Sequence, residues 1–184
     1  MAFISTYSGQ KFNPLETDLD LIIQDIKFGD IAMSLSRIPR FNGATKYFYS
    51  VAQHSVMVCD LVPDELKWTA LGHDFAEAYL GDIVSPLKAL IPQYKEIEHR
   101  VEMALAKKFG FRTDDEAKAI IKKADLIALA TEKRDLMPNS VEAWEYLVDV
   151  EPLPDRIRPK APEMAYKQLV SRFSLLSCRN SLAS

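Results

Sequence analysis

The stretch that decides the fold is "TALGHDFAEAYLGDIVSPLK", residues 69–88. With the residues before it, it reads as one helix opening at Asp64 and ending at Gly81, with "DIVSPLK" as a loop or short turn. Leu66, Trp68, Ala70, Leu71, Phe75, Ala76, Tyr79 and Leu80 cover most of its circumference, which marks a central helix rather than a surface one. Yet His73, Asp74 and Glu77 sit in its middle, and helical spacing puts them within an arc of about 100°. Charged groups in such a place require a counter-ion or a metal.

Two other apolar segments repeat the anomaly. "SVAQHSVMVCDLV" (50–62) places His54 among Val51, Ala52, Met57, Val58 and Leu61. "AIIKKADLIALATE" (119–132) places Asp125 among Ile121, Ala124, Ala128 and Leu129, with Glu132 two turns further along the same face. One buried histidine or aspartate is usually a satisfied core group. Together, His54, His73, Asp74 and Asp125 supply two imidazoles and two carboxylates from three buried helices. That mixture suits a divalent first-row ion such as Mn, Fe, Co, Ni or Zn, because two imidazoles bind firmly while the carboxylates partly offset the charge and leave Lewis acidity. An all-thiolate site is excluded, since the chain holds two cysteines, Cys59 and Cys178, and no CxxC pair.

The rest of the chain reads as a single all-α domain over 1–184, a helical bundle with a small N-terminal β-hairpin around "SGQK". A short helix opens at Asp30 and stops before Pro39, and "RFNGATKYFY" is a loop punctuated by Asn42-Gly43. Ser50 with Gln53, and Thr113 with Glu116, have capping-box spacing at the starts of two helices. Further helices are expected over 94–109, around Val141 to Val148, and over 163–176, the last after a proline-punctuated connector and before a frayed end. A formal net charge of −3 gives no field for a nucleic acid polymer or an anionic membrane, and 48% hydrophobic with 27% charged residues is an ordinary globular profile. No window reads as a signal peptide or a membrane span, and the cysteine usage fits a reducing compartment, so a cytoplasmic protein is expected.

The order His54, His73-Asp74, Asp125 resembles the HD-domain metal-dependent phosphohydrolases. "RFNG…YSVAQHS" and "HDFAEAYLGDIVSPLK" resemble a narrower group, the 5′-deoxynucleotidases and the phage dATP triphosphohydrolases, over roughly residues 1 to 135. The resemblance implies an HD-domain bundle, His54, His73, Asp74 and Asp125 as metal ligands, and Co, Mn, Zn, Ni or Fe as the ion, with Mg as a candidate second ion. It also implies Glu77 and Asp82 as the carboxylates that manage the catalytic proton, Arg40 on the substrate phosphate, and a homo-oligomer, dimer or hexamer. Among the flanking residues, Arg40 and Lys88 are the preferred phosphate-binding cations, Arg37 and Lys46 read as solvated charges, and a ring of Phe28 or Phe41 could stack on a nucleobase. Related sequences carry a histidine after "DIA" and after "RFNG"; here Met33 and Ala44 stand there, which bears on substrate preference. The implied reaction is hydrolysis of a small-molecule 2′-deoxyribonucleotide at the 5′-phosphorus. The first reading is dATP to deoxyadenosine and triphosphate in phage pool control, with phosphate release from deoxynucleoside monophosphates and a non-catalytic nucleotide-sensing module as alternatives.

Overall fold

The computed structural model describes residues 3–138 and 144–183, and they form a helical bundle with one small antiparallel hairpin at the N-terminus. In the hairpin β1 (Ile4–Ser5) pairs with β2 (Lys11–Phe12), Ile4 opposite Phe12. So short a hairpin is marginal alone. Here Phe12 is fully buried and stacks on Tyr79 at 4.1 Å. A buried carboxylate grips the turn: Asp30 accepts from the Thr6 hydroxyl at 2.8 Å and from the Ser8 N–H and hydroxyl at 2.7 and 2.8 Å. Asp30 therefore does not open its helix as expected; α2 starts earlier (Phe28–Leu35), after the short α1 (Leu19–Asp25).

The innermost helix is α3 (Val51–Asp60), buried on nearly every face. Ser50 caps it, accepting the Gln53 N–H at 3.2 Å. The return half of the capping box is not made. Gln53 instead ties down the late connector, donating to the Arg158 carbonyl and accepting the Lys160 N–H, both at 2.9 Å.

The segment expected as one helix over 64–80 is broken in the middle. A 3-10 turn (Asp64–Leu66) leads into α4 (Lys67–Leu71), and α5 (Glu77–Leu80) follows only after a tight turn through 72–76. Bonds in that turn run three residues back, from Phe75 N–H to the Gly72 carbonyl and from Glu77 N–H to the Asp74 carbonyl, each 3.1 Å. Gly72 sits at the break, with the ring of Phe111 packed against it. A Cβ at position 72 would lie 2.3 Å from ring carbons of Phe111, so only glycine lets this ring close onto the backbone. Phe111 belongs to an aromatic cluster with Trp68, Phe75, Phe109 and Phe173, and the Trp68 indole N–H donates to the Phe109 carbonyl at 2.7 Å.

After the short α6 (Ser85–Lys88), α7 (Pro92–Phe109) ends at Gly110 in the left-handed region, φ 69°. The next cap is Asp114 rather than Thr113: its carboxylate, held by Arg112, accepts the Ala117 N–H at 3.0 Å and opens α8 (Asp115–Leu136). Of the helix expected around Val141 to Val148, 141–143 lie outside the described residues, and Glu145–Leu147 form a single 3-10 turn. The prolines keep the connector extended until α9 (Pro162–Ala183), which packs Ala165, Leu169 and Leu176 into the core and runs well past the expected end near Leu176. No helix among the described residues is long and apolar enough to cross a membrane.

Candidate metal centre and its cleft

Three elements meet at His54. It projects from α3 and is fully buried; His73 and Asp74 come from the turn between α4 and α5; Asp125 comes from α8. His54 Nε2 lies 3.4 Å from Asp74 Oδ2 and 3.3 Å from Asp125 Oδ1, and His73 Nε2 lies 3.2 Å from the same Asp74 oxygen. One donor atom each from His54, His73 and Asp74 falls within 4.8 Å of the others. The break at Gly72 is what turns the dyad toward α3.

The hydrogen bonds behind the rings decide which nitrogen faces inward. His73 Nδ1 is 2.8 Å from the Ala70 carbonyl, which can only accept, so Nδ1 carries the proton and Nε2 keeps its lone pair. His54 Nδ1 is 2.7 Å from Glu132 Oε1, which orients that ring in the same sense. Both Nε2 atoms are buried without a hydrogen bond of their own. Two imidazole nitrogens and a carboxylate oxygen converging in this way fit a divalent transition ion. The group can hold a metal. Asp125 stands beside it with its second oxygen taken by Lys122 at 2.7 Å.

Electrostatics keep the two carboxylate donors ionised, while His54 in the metal-free site favours its protonated form, so a metal binding there displaces that proton. Burial acts to raise Asp74, yet His73, His54 and Arg40 hold it well below the usual carboxylate range. Asp125 is held low against burial by His54, His73 and Lys122. Burial and Arg40 act to lower His54, while Glu132 and Asp125 push it up to about 9. Glu77 goes the other way: burial, with the Asp74 and Asp82 charges, raises it well above its ordinary value, and burial raises Asp82 too.

A cleft of about 570 Å³ opens on this centre. The expected site residues Arg40, Phe41, Glu77, Asp82 and Lys88 all line it, together with Asp74 and Asp125. The Arg40 guanidinium lies 3.0 Å from Glu132 and 3.9 Å from Asp74. Burial opposes its charge, but these carboxylates with Asp82 and Glu77 hold it above its ordinary value. Lys88 also faces the cleft, with its ammonium on Glu98 at 2.5 Å. Phe41 and Asn42 both adopt positive φ, 55° and 51°, a costly conformation for a phenylalanine that turns its ring toward the cleft. Phe28 is a core residue instead, stacked on Phe173 at 3.5 Å, so its reading as a base-stacking ring is withdrawn. Arg37 and Lys46 are exposed and do not line the cleft, as solvated charges should be.

Three features of the site went unassigned in the sequence. Glu132 bridges His54 and Arg40, a role its spacing two turns beyond Asp125 on an apolar face could have suggested. Lys122 pairs with Asp125 at the helical spacing of three. Trp144 and Tyr146 also line the cleft, from the stretch expected as a helix around Val141 to Val148, which assigns them no role.

The chain is 42% identical over 179 residues to the uncharacterized protein YfdR of Escherichia coli (strain K12), a match spanning 96% of this chain and 97% of that one. It belongs to the YfdR family. A protein of Rhodobacter capsulatus is 35% identical over 130 residues, covering 64% of this chain and 66% of that protein. The match to the Escherichia coli member runs nearly end to end, so the segments that carry His54, His73, Asp74 and Asp125 fall within the length the two proteins share. No family model matches the chain.

Proposed function

We propose that the cleft is the active site of an HD-domain metal-dependent phosphohydrolase that cleaves 2′-deoxyribonucleotides at the 5′-phosphorus. The observation that carries this reading is the convergence of His54 Nε2, His73 Nε2 and Asp74 within 4.8 Å, at the edge of a cleft that also holds Arg40, Glu77 and Asp82. His54, His73 and Asp74, with Asp125, would hold Co, Mn, Zn, Ni or Fe. Bound there, such an ion supplies Lewis acidity that polarises a phosphoryl oxygen and favours attack by water. Arg40 binds the phosphoryl oxygens, and Glu132 fixes its guanidinium so that it needs no reorganisation as charge develops. Glu77, raised by burial and by Asp74 and Asp82, tends to keep its proton and is suited to pass it to the departing 5′-oxygen. Asp82 shares the cleft and completes the proton relay.

From dATP this reaction yields deoxyadenosine and triphosphate; from a monophosphate it yields the nucleoside and phosphate. One observation favours the shorter chain. Each basic residue of the cleft already faces a carboxylate, Arg40 with Glu132, Lys88 with Glu98 and Lys122 with Asp125, which leaves little uncompensated charge for a triphosphate. The test is nucleoside release from all deoxynucleoside mono- and triphosphates by protein loaded with Mn, Co or Zn. Metal-dependent release is expected, with the co-product identifying the substrate. No turnover of any of them with any of the three metals overturns the reading in favour of a non-catalytic nucleotide-binding module.

A further inference from the structure

A run of neighbouring side chains leads away from the metal centre along one wall of the cleft. Arg40 lies 3.9 Å from Asp74, the Phe41 ring lies 5.3 Å from the Arg40 guanidinium carbon, the Trp144 ring 6.0 Å from Phe41, and the Tyr146 ring 5.9 Å from Trp144. The charged residues cluster at the start of this run and three aromatic rings occupy its far part. Apolar Ile83, Val84 and Pro86 line the same cleft.

Trp144 is positioned from outside the cleft. The ammonium of Lys133, which does not line the cleft, sits 5.0 Å from the centre of the indole ring. Tyr146 is 56% exposed, so its ring is open to a ligand in the cleft. The Phe41–Trp144 spacing is too short to admit a flat group between the two rings. A flat ligand would therefore lie along the Trp144–Tyr146 wall, whose rings are inclined by only 35°.

The geometry points to Trp144 and Tyr146 as the stacking platform for the nucleobase, the far end of a substrate whose phosphate reaches Arg40. This rests on the deoxynucleotide reading above and adds residues from beyond the region that carries the phosphohydrolase resemblance. A platform of this kind recognises any ligand with an aromatic base at one end and an anionic group at the other. It excludes phosphate esters of aliphatic alcohols through lost stacking rather than through a clash.

The chain makes the test convenient, because it holds two tryptophans. Trp68 lies in the aromatic cluster of the core, with its N–H on the Phe109 carbonyl, so a ligand in the cleft reports through Trp144. Metal-loaded protein is titrated with deoxyadenosine, which carries no phosphate to hydrolyse, and tryptophan emission is followed. Quenching is expected, with affinity about tenfold weaker in Trp144→Ala, measured by calorimetry, and largely restored in Trp144→Phe. In parallel, the ratio of kcat/KM for dAMP over 2-deoxyribose 5-phosphate falls about tenfold in Trp144→Ala. Deoxyadenosine binding that depends on Trp144 without any hydrolysis supports the platform and removes the hydrolase reading. Hydrolysis with the same dAMP preference in wild type and Trp144→Ala, or unchanged deoxyadenosine affinity in that variant, overturns the platform and leaves the hydrolase reading standing.

Discussion

Glu132→Ala lowers the melting temperature of the metal-free protein by about 6 to 20 °C. Glu132 is fully buried, and its two oxygens serve His54 Nδ1 at 2.7 Å and Arg40 at 3.0 Å. Removing it takes the nearest carboxylate from a guanidinium that is only 11% exposed, leaving Asp74 at 3.9 Å, and leaves a buried imidazole N–H with no acceptor. Breaking a buried charge pair from one side costs about 3–5 kcal/mol, and each kcal/mol is worth about 2–4 °C in a chain of this size. Glu132→Gln keeps the shape but turns an amide NH2 toward one of two donors, so it recovers only part of the loss. The same variants weaken metal binding by about 10- to 100-fold, because His54 loses the partner that sets its tautomer and angle. Differential scanning calorimetry with and without metal reads both effects. A melting temperature of Glu132→Ala within about 2 °C of wild type contradicts this account of the buried network.

Asp74→Ala abolishes metal-dependent stabilisation and nucleoside release together while the metal-free fold persists. Asp74 is partly exposed, and it shapes its turn through its backbone carbonyl, which accepts the Glu77 N–H and is kept in alanine, rather than through its side chain. Its oxygen does lie 3.2 and 3.4 Å from the two Nε2 atoms, so the variant loses the one carboxylate close to both imidazoles. A ligand matters more than its hydrogen-bond support, so the loss in affinity exceeds about 100-fold. For wild type, metal at about 100 times Kd adds about 2.7 kcal/mol of stability, a rise of several degrees that Asp74→Ala fails to show. Isothermal titration measures the affinities directly. A variant that binds Mn or Zn as wild type does removes Asp74 from the ligand set.

Much of this was readable from local pattern. Ser50 announced α3, Gly110 stopped α7, and the placement of His54, His73-Asp74 and Asp125 on apolar segments was visible because their neighbours leave no polar face for them, although only His54 is fully buried and the other three are partly exposed. What could not be read depends on partners distant in the chain. Periodicity runs unbroken through 66–80, yet the helix breaks at Gly72, where the Phe111 ring from a distant segment packs against the backbone. Asp30 looks like a helix opener until the hairpin supplies Thr6 and Ser8 as donors, and Gln53 looks like half of a capping box until the connector supplies better bonds. Asp114 displaces Thr113 as a cap because Arg112 holds its carboxylate in place. Trp144 and Tyr146 fall in the helix expected around Val141 to Val148; Glu145–Leu147 form only a single 3-10 turn, which has no helical face to which either ring could be assigned.

The central claim is that these four residues form one metal centre. It is tested most directly by a crystal structure grown with Zn²⁺ and measured at the zinc absorption edge. The strongest anomalous peak is expected between His54 Nε2 and His73 Nε2, about 2.0–2.2 Å from both, from Asp74 and from Asp125 Oδ1, the oxygen that Lys122 leaves free. A zinc-soaked crystal whose strongest peak lies elsewhere, with the two imidazoles still facing each other and no density between them, contradicts it.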